Sequence, residues 1–166
     1  MDVSKAISSR RSIRKFKRKE MPKEDVVELL EAARAAPSGA NRQPWELVVI
    51  TDPIRLKELV PVCKNQAFLA DCAAFLVGLD DVEAKWSRVD LSIALDHIAL
   101  KAVEMGMGTC WIGAFDPDAL AKFISAPKGR IVTVCLAVGY PDEEPEARPR
   151  KPLEQLVSWG SYGKRQ

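Results

Sequence analysis

Ser9-Arg10-Arg11-Ser12-Ile13-Arg14-Lys15-Phe16 sets fixed positive charge beside a hydroxyl and runs two apolar residues, Ile13 and Phe16, through the same stretch. A segment so patterned can anchor itself on a core while presenting a phosphate cradle. A phosphomonoester carries about −1.5 to −2 charges at pH 7, and the planar arginine fork meets its oxygens with two parallel hydrogen bonds. Arg10 and Arg14 are the leading candidates. Residues 10–19 hold seven Lys or Arg and no acid; taken from a net charge of +2 for the whole chain, these leave the remainder at −5. The basicity is local, which argues for one anionic ligand near the N-terminus and against a surface coated with positive charge for nucleic acid.

Working outward, Asp2 to Ser9 reads as a short helix that delivers the arginines, with Val3, Ala6 and Ile7 on one face. Beyond the basic stretch, Pro22 at a first helical position, Glu24 and Asp25 in the first turn, and Val26, Val27, Leu29, Leu30 and Ala33 at helical spacing predict an amphipathic helix ended by Pro37 and Gly39. Trp45 to Ile50 reads as a strand, and Asp52-Pro53 caps a helix through Val60. Ala73 to Leu79 is a buried strand closed by Asp80-Asp81. A long helix follows from Trp86 or Ser87 to Met105, ending at Gly106. Its apolar residues cover most of its circumference, so it is expected to bury two sides, one against its own sheet and one against a second subunit. Thr109 to Ile112 is a third strand, Asp116-Pro117 repeats the cap before a helix containing Leu120 and Phe123, and Ile131 to Val138 reads as a central strand ended by Gly139-Tyr140-Pro141. Asp142 to Pro152 is too acidic and proline-rich for a regular element. The tail after it, with Leu153, Leu156, Val157, Trp159 and Tyr162, has too many apolar groups to be left in water. With 166 residues and 47% hydrophobic composition, the chain reads as one domain over 1–166, a sheet covered on both faces by helices.

Several chemistries are set aside. Cys63, Cys72, Cys110 and Cys135 fall at no metal or redox spacing and His97 is the only histidine, so the thiols read as reduced core residues and no metal is expected. His97, beside Asp96, reads as a packing or interface residue. No apolar run approaches the roughly 18 residues a membrane helix needs, and no leader precedes the basic stretch, so a cytoplasmic location is expected. Gly106-Met107-Gly108 lacks the third glycine of a dinucleotide fingerprint, and no P-loop occurs. Ser12-Ile13-Arg14-Lys15 matches the SxxK of serine acyl-transferases, but no partner motif follows.

Three further motifs fall in order behind the basic stretch: Pro37-Ser38-Gly39-Ala40-Asn41-Arg42-Gln43-Pro44-Trp45, Cys110-Trp111-Ile112-Gly113-Ala114-Phe115 and Arg148-Pro149-Arg150-Lys151-Pro152. Together they resemble the FMN-dependent nitroreductase family, over about Ile7 to the end of the chain. That resemblance implies an α+β fold with a central mixed sheet flanked by helices, and an intertwined homodimer with FMN at the subunit interface, the tail of about 153–166 docking on the partner. It implies that Arg10, Arg11, Ser12 and Arg14 hold the phosphate, ribityl chain and pyrimidine edge, with Arg150 and Arg148 or Lys151 closing on the phosphate. Pro37, Ser38, Gly39, Asn41 and Gln43 match the loop that reaches the isoalloxazine ring from the other subunit, where paired amides suit a pattern of N–H and C=O groups. Trp111, Ile112, Gly113 and Ala114 match the segment whose backbone N–H, from Gly113 or Ala114, faces flavin N5.

The implied reaction is ping-pong: NADH or NADPH passes hydride to flavin N5 and leaves, and a flat small-molecule acceptor, a nitroaromatic or a quinone, takes its place. No side chain is needed as general acid or base. Other relatives carry out dehalogenation or flavin fragmentation, and the longer members' lid helices have no counterpart here. Two readings from other classes are a binding module using residues 10–19 on an anionic surface, disfavoured by the −5 remainder, and a purely structural dimer, which leaves Ser38, Asn41 and Gln43 without a purpose.

Overall fold

Two helices begin with the same device. Asp52 accepts the N–H groups of Ile54 and Arg55 at 2.9 Å ahead of Pro53, and Asp116 accepts that of Ala119 at 3.0 Å ahead of Pro117. Each pairs an oxygen for orphan donors with a residue whose φ is already helical. The computed structural model describes residues 1–165; residue 166, the last of the predicted tail, lies outside them. The order is α1 (Val3–Ser9), β1 (Phe16–Lys17), α2 (Lys23–Arg34), a 3-10 turn (Gly39–Asn41), β2 (Trp45–Ile50), α3 (Pro53–Val62), a second 3-10 turn (Ala67–Asp71), β3 (Ala74–Asp81), α4 (Ser87–Glu104), β4 (Gly108–Ile112), α5 (Pro117–Phe123), β5 (Arg130–Pro141) and α6 (Leu153–Leu156).

β5 is central, pairing with β1, β3 and β4, while β2 extends the sheet beyond β3. These ladders are antiparallel. The parallel component is the isolated bridge between Ser12 and Thr109. Apolar runs are uninterrupted in β3 and β5 because both faces are covered. Phe75, Val77, Cys135 and Ala137 enter one core with α3, α5 and the Ala67–Asp71 turn; Ala74, Leu76, Leu136 and Val138 enter the other with α2 and α4.

Three boundaries differ from expectation, the first two through a non-local partner. Gly139-Tyr140-Pro141 continues β5 rather than ending it, since Phe16 pairs with Pro141 and Lys17 with Tyr140. Asp80 and Asp81 lie inside β3, because Arg88 Nε meets Asp80 at 3.2 Å and Arg130 meets Asp81 at 2.7 Å. The Glu83 N–H and Arg130 hold the Asp81 carboxyl below the usual carboxylate range. Pro22 is the N-cap of α2 rather than its first residue, and α2 ends at Arg34, ahead of Pro37.

α4 buries Leu91, Ala94, Leu95, Ile98, Ala99 and Ala102. Its other side lines an open groove of about 450 Å³ with Val89, Ser92, Ile93, His97 and Leu100. In α1, Ala6 is buried while Val3 and Ile7 are exposed. Leu153, Leu156, Trp159 and Tyr162 of the tail are exposed as well. All four cysteines are free and buried, as expected for core thiols.

Candidate flavin site

Ile13 and Phe16 are each 5% exposed, so the basic segment is seated on the core by the two residues that interrupt it. The Ile13 N–H donates to Thr109 O at 2.9 Å. Such closeness needs glycine opposite: a Cβ at Gly108 would lie 2.4 Å from Ile13 Cγ1, and one at Gly139 would lie 2.9 Å from Phe16 Cδ1. Lys19 caps the segment over the Tyr140 ring at 4.0 Å.

The chain leaving β5 is tied to the same segment. Asp142 N–H donates to Lys15 O at 2.9 Å, and the Asp142 carboxylate pairs with Lys15 Nζ at 3.0 Å. Glu143 accepts the backbone N–H groups of Arg14 and, at 3.0 Å, Lys15. This seam turns residues 145–150 back over the arginines. The result is a cavity of about 710 Å³ lined by Arg10, Arg11, Ser12 and Arg14 on one side and Arg148 and Arg150 on the other, with Ile7, Pro145 and Ala147 as its apolar wall. That volume is within the roughly 300–1,000 Å³ of small-molecule sites. Glu143 and Glu146 also line it. Among the described residues, none of the five guanidiniums makes an ion pair with a carboxylate. Arg11 donates to Ser8 O at 2.7 Å and Arg10 O at 3.0 Å. Lys151 does not line the cavity. Burial pushes the Cys110 thiol up, while Arg14 and Arg10, close enough to be felt, pull it down.

The other predicted residues stand apart from this cavity within one chain. Pro37, Ser38, Gly39, Asn41 and Gln43 form a turn with Ala40, Asn41 and Gln43 at φ 51, 55 and 50, left-handed values in non-glycine residues. Gln43 N–H donates to Ser38 Oγ at 3.0 Å, and Gln43 Nε2 donates to Asn41 O at 3.0 Å, so the exposed amides are held side by side. Trp111 and Ile112 end β4. Gly113 faces open space, with nothing within 4 Å of an added Cβ, and Gln66 Nε2 fixes the Ala114 carbonyl at 2.9 Å. His97 Nδ1 lies 3.3 Å from Ala32 O, a packing position.

Sequence reasoning missed Gly108, Glu143 and Asp90. In the sequence Gly108 stands out only as part of an incomplete nucleotide loop, and no spacing rule ties Glu143 to Arg14 across the chain. Asp90 carries the mark of first-turn helix acid, which says nothing of the Gly39 N–H it accepts at 3.2 Å.

The sequence profile of the nitroreductase family matches residues 7–81 and 57–140. The chain belongs to the nitroreductase family. It is 29% identical over 197 residues to an NADH dehydrogenase of Thermus thermophilus, covering 96% of each chain. The solved structure of the NADPH:FMN oxidoreductase of Vibrio harveyi, complexed with NAD+, superposes with a TM-score of 0.91 at 26% identity, over 99% of this chain and 79% of that one. An iodotyrosine deiodinase of Thermotoga neapolitana is 25% identical over 178 residues, covering 92% of this chain and 95% of the relative. The α+β nitroreductase fold is thereby shown.

Proposed function

We propose that the protein is an FMN-dependent NAD(P)H oxidoreductase that reduces flat acceptors, nitroaromatics and quinones, in alternating turns with its electron donor. The observation that carries the reading is the meeting of five guanidiniums from opposite ends of the chain around one cavity, with no carboxylate paired to any of them among the described residues. Five guanidiniums against the two lining carboxylates, Glu143 and Glu146, leave the cavity positive, and a phosphate monoester has the oxygens and charge to meet them. The residues therefore fit FMN. When bound, the flavin supplies the two-electron chemistry, taking hydride from NADH or NADPH and delivering it to the acceptor.

The chain's own part is to bind and orient. Arg10, Arg14, Arg148 and Arg150 would hold the phosphate, with the Ser12 hydroxyl as a further donor and Arg11 beside them, held by its carbonyl contacts. Asn41 and Gln43 present donor and acceptor groups to the ring edge, and the open space at Gly113 admits a planar ring against backbone. The reading assigns no side chain as general acid or base. It also assigns one domain and a homodimer, in which the amide turn of one subunit completes the cavity of the other. Its support is the open apolar groove on α4, the exposed tail, and the separation of the amide turn from the arginines within one chain. Among the described residues no helix is long and apolar enough to cross a membrane.

A second reading, reductive dehalogenation at the same site, draws on the likeness to the deiodinase over nearly the full length of both chains. The test is the visible absorbance spectrum of the purified protein before and after anaerobic NADH or NADPH. A yellow protein bleached by one donor, and reoxidised by a nitroaromatic or quinone, supports the first reading; reoxidation by an iodinated phenol alone supports the second. A protein that stays colourless after incubation with FMN refutes both.

A further inference from the structure

We propose, resting on the flavin reading above, that Asp90 is a positioning residue for the flavin ring: its buried carboxylate fixes the amide turn through the Gly39 N–H. Asp90 is 4% exposed, and among the described residues it takes part in no ion pair. Both of its oxygens lie 3.2 Å from Gly39 N. A carboxylate held away from water without a cation is costly, and a charge-assisted bond to one backbone N–H is its visible return. Its place in the first turn of α4 lets the helix N-terminus offset part of that cost.

The turn needs an outside anchor. Ala40, Asn41 and Gln43 are all in the left-handed region, and strained backbone persists where its surroundings over-determine it. The bonds inside the turn, from Asn41 N–H to Ser38 O at 2.9 Å and from Gln43 to Ser38 and Asn41, fix its shape but not its position. Position comes from the start of α4. Ser87 Oγ donates to Pro44 O at one end of the turn, Asp90 accepts from Gly39 at the other, and the Trp86 ring backs Gly39, with Cδ1 3.5 Å from where a Cβ would stand. Asn41 and Gln43 are thus presented in advance, so that ring binding need not order them.

Riboflavin, which has the ring but no phosphate, separates this role from that of the cradle. Dissociation constants for FMN and riboflavin, read by flavin fluorescence well below the melting temperature, are to be compared for the wild type, Asp90→Ala, Asp90→Asn and Arg10→Ala. Asp90→Ala should weaken both ligands by the same factor, about tenfold or more. Asp90→Asn keeps an acceptor in place and should stay within about threefold of wild type. Arg10→Ala should weaken FMN alone. Wild-type riboflavin affinity in Asp90→Ala, or an Asp90→Asn as weak as Asp90→Ala, overturns the assignment. Should Asp90→Ala not fold, Gly39→Pro deletes the donor instead, at a site whose preceding residue is already extended (Ser38 φ −141, ψ 156). It should show the same loss, and wild-type binding there overturns the role. A wild type that binds neither flavin overturns the flavin reading itself, a failure distinct from that of Asp90.

Discussion

Gly108→Ala should unseat the arginine cradle without altering one arginine. The new Cβ would stand 2.4 Å from Ile13 Cγ1, 2.9 Å from Ile13 Cβ and 3.1 Å from Pro141 Cγ. Carbon atoms rest at about 3.5–4.0 Å, so Ile13 must withdraw by about 1 Å. Its N–H is 2.9 Å from Thr109 O, and a retreat of that size takes the pair past hydrogen-bonding distance. Overpacking of this kind costs about 1–3 kcal/mol, which in a chain of this length lowers Tm by about 2–4 °C per kcal/mol. Ser12 and Arg14 flank Ile13 in sequence and move with it. Loss of one or two charge-assisted bonds to phosphate, at about 1.5–3 kcal/mol each, raises the FMN Kd by about tenfold to more than a hundredfold. Ile13→Ala removes the 2.4 Å clash and leaves the 2.9 Å one. Alone it costs about 2–5 kcal/mol as a buried truncation. Combined with Gly108→Ala it should cost less than the sum by about 1–2 kcal/mol, read from denaturant titrations of the four proteins. Additivity within about 0.5 kcal/mol, or a lowered Tm with unchanged FMN affinity, would refute the idea that Gly108 seats the cradle.

Arg150→Ala should weaken FMN and spare riboflavin in fluorescence titrations, as a phosphate contact must; equal loss of both would move Arg150 away from the phosphate. Ile93→Glu places a charge in the open groove of α4 and should give a monomer by light scattering that no longer retains flavin. A monomer holding FMN stoichiometrically would remove the interface placement of the ring. Burial pushes the Cys63 and Cys72 thiols up to about 11 and about 12, whereas free thiols ionise near 8.5. Above about pH 9 the unfolded chain therefore binds fewer protons than the native one, and stability should fall as pH rises through the range from 9 to 11. Denaturation midpoints that hold steady over that range would contradict it, as would native thiols reacting with a disulfide reagent at the rate of the unfolded chain.

What was legible in the sequence was what a few neighbouring residues decide. Asp52-Pro53 and Asp116-Pro117 announce helix starts because cap and first turn are local chemistry. The runs through Phe75 and Leu136 announce buried strands because a strand covered on both faces has no polar side to display. Asp80, Asp81 and Gly139 to Pro141 were misread as terminators for the opposite reason. What keeps them in strands is Arg88, Arg130 and the pairing of Phe16 and Lys17, all distant in sequence. The site divides the same way. Charge density singles out Arg10, Arg11 and Arg14, which do line one cavity, but the arrival of Arg148 and Arg150 beside them depends on Glu143 reaching two backbone N–H groups about 130 positions earlier.

Two features of the chain stand without a partner inside it: a cavity lined by five guanidiniums against two carboxylates, and three non-glycine residues held left-handed in an exposed turn. Each has a support with a purpose of its own. Gly108 and Ile13 seat the arginines on β4, and Ser87 with Asp90 clamps the turn to α4. Because the supports rest on different elements, the two halves can be weakened one at a time, and only a ligand with an anionic end and a flat polar end would register both losses. FMN has both ends. Binding only to the folded chain, it should add to stability as well as to function, by about 2.7 kcal/mol at a hundred times its Kd. Riboflavin, at the same multiple of its own weaker Kd, adds the same amount, so the preference for FMN lies in the concentration needed and not in the ceiling reached.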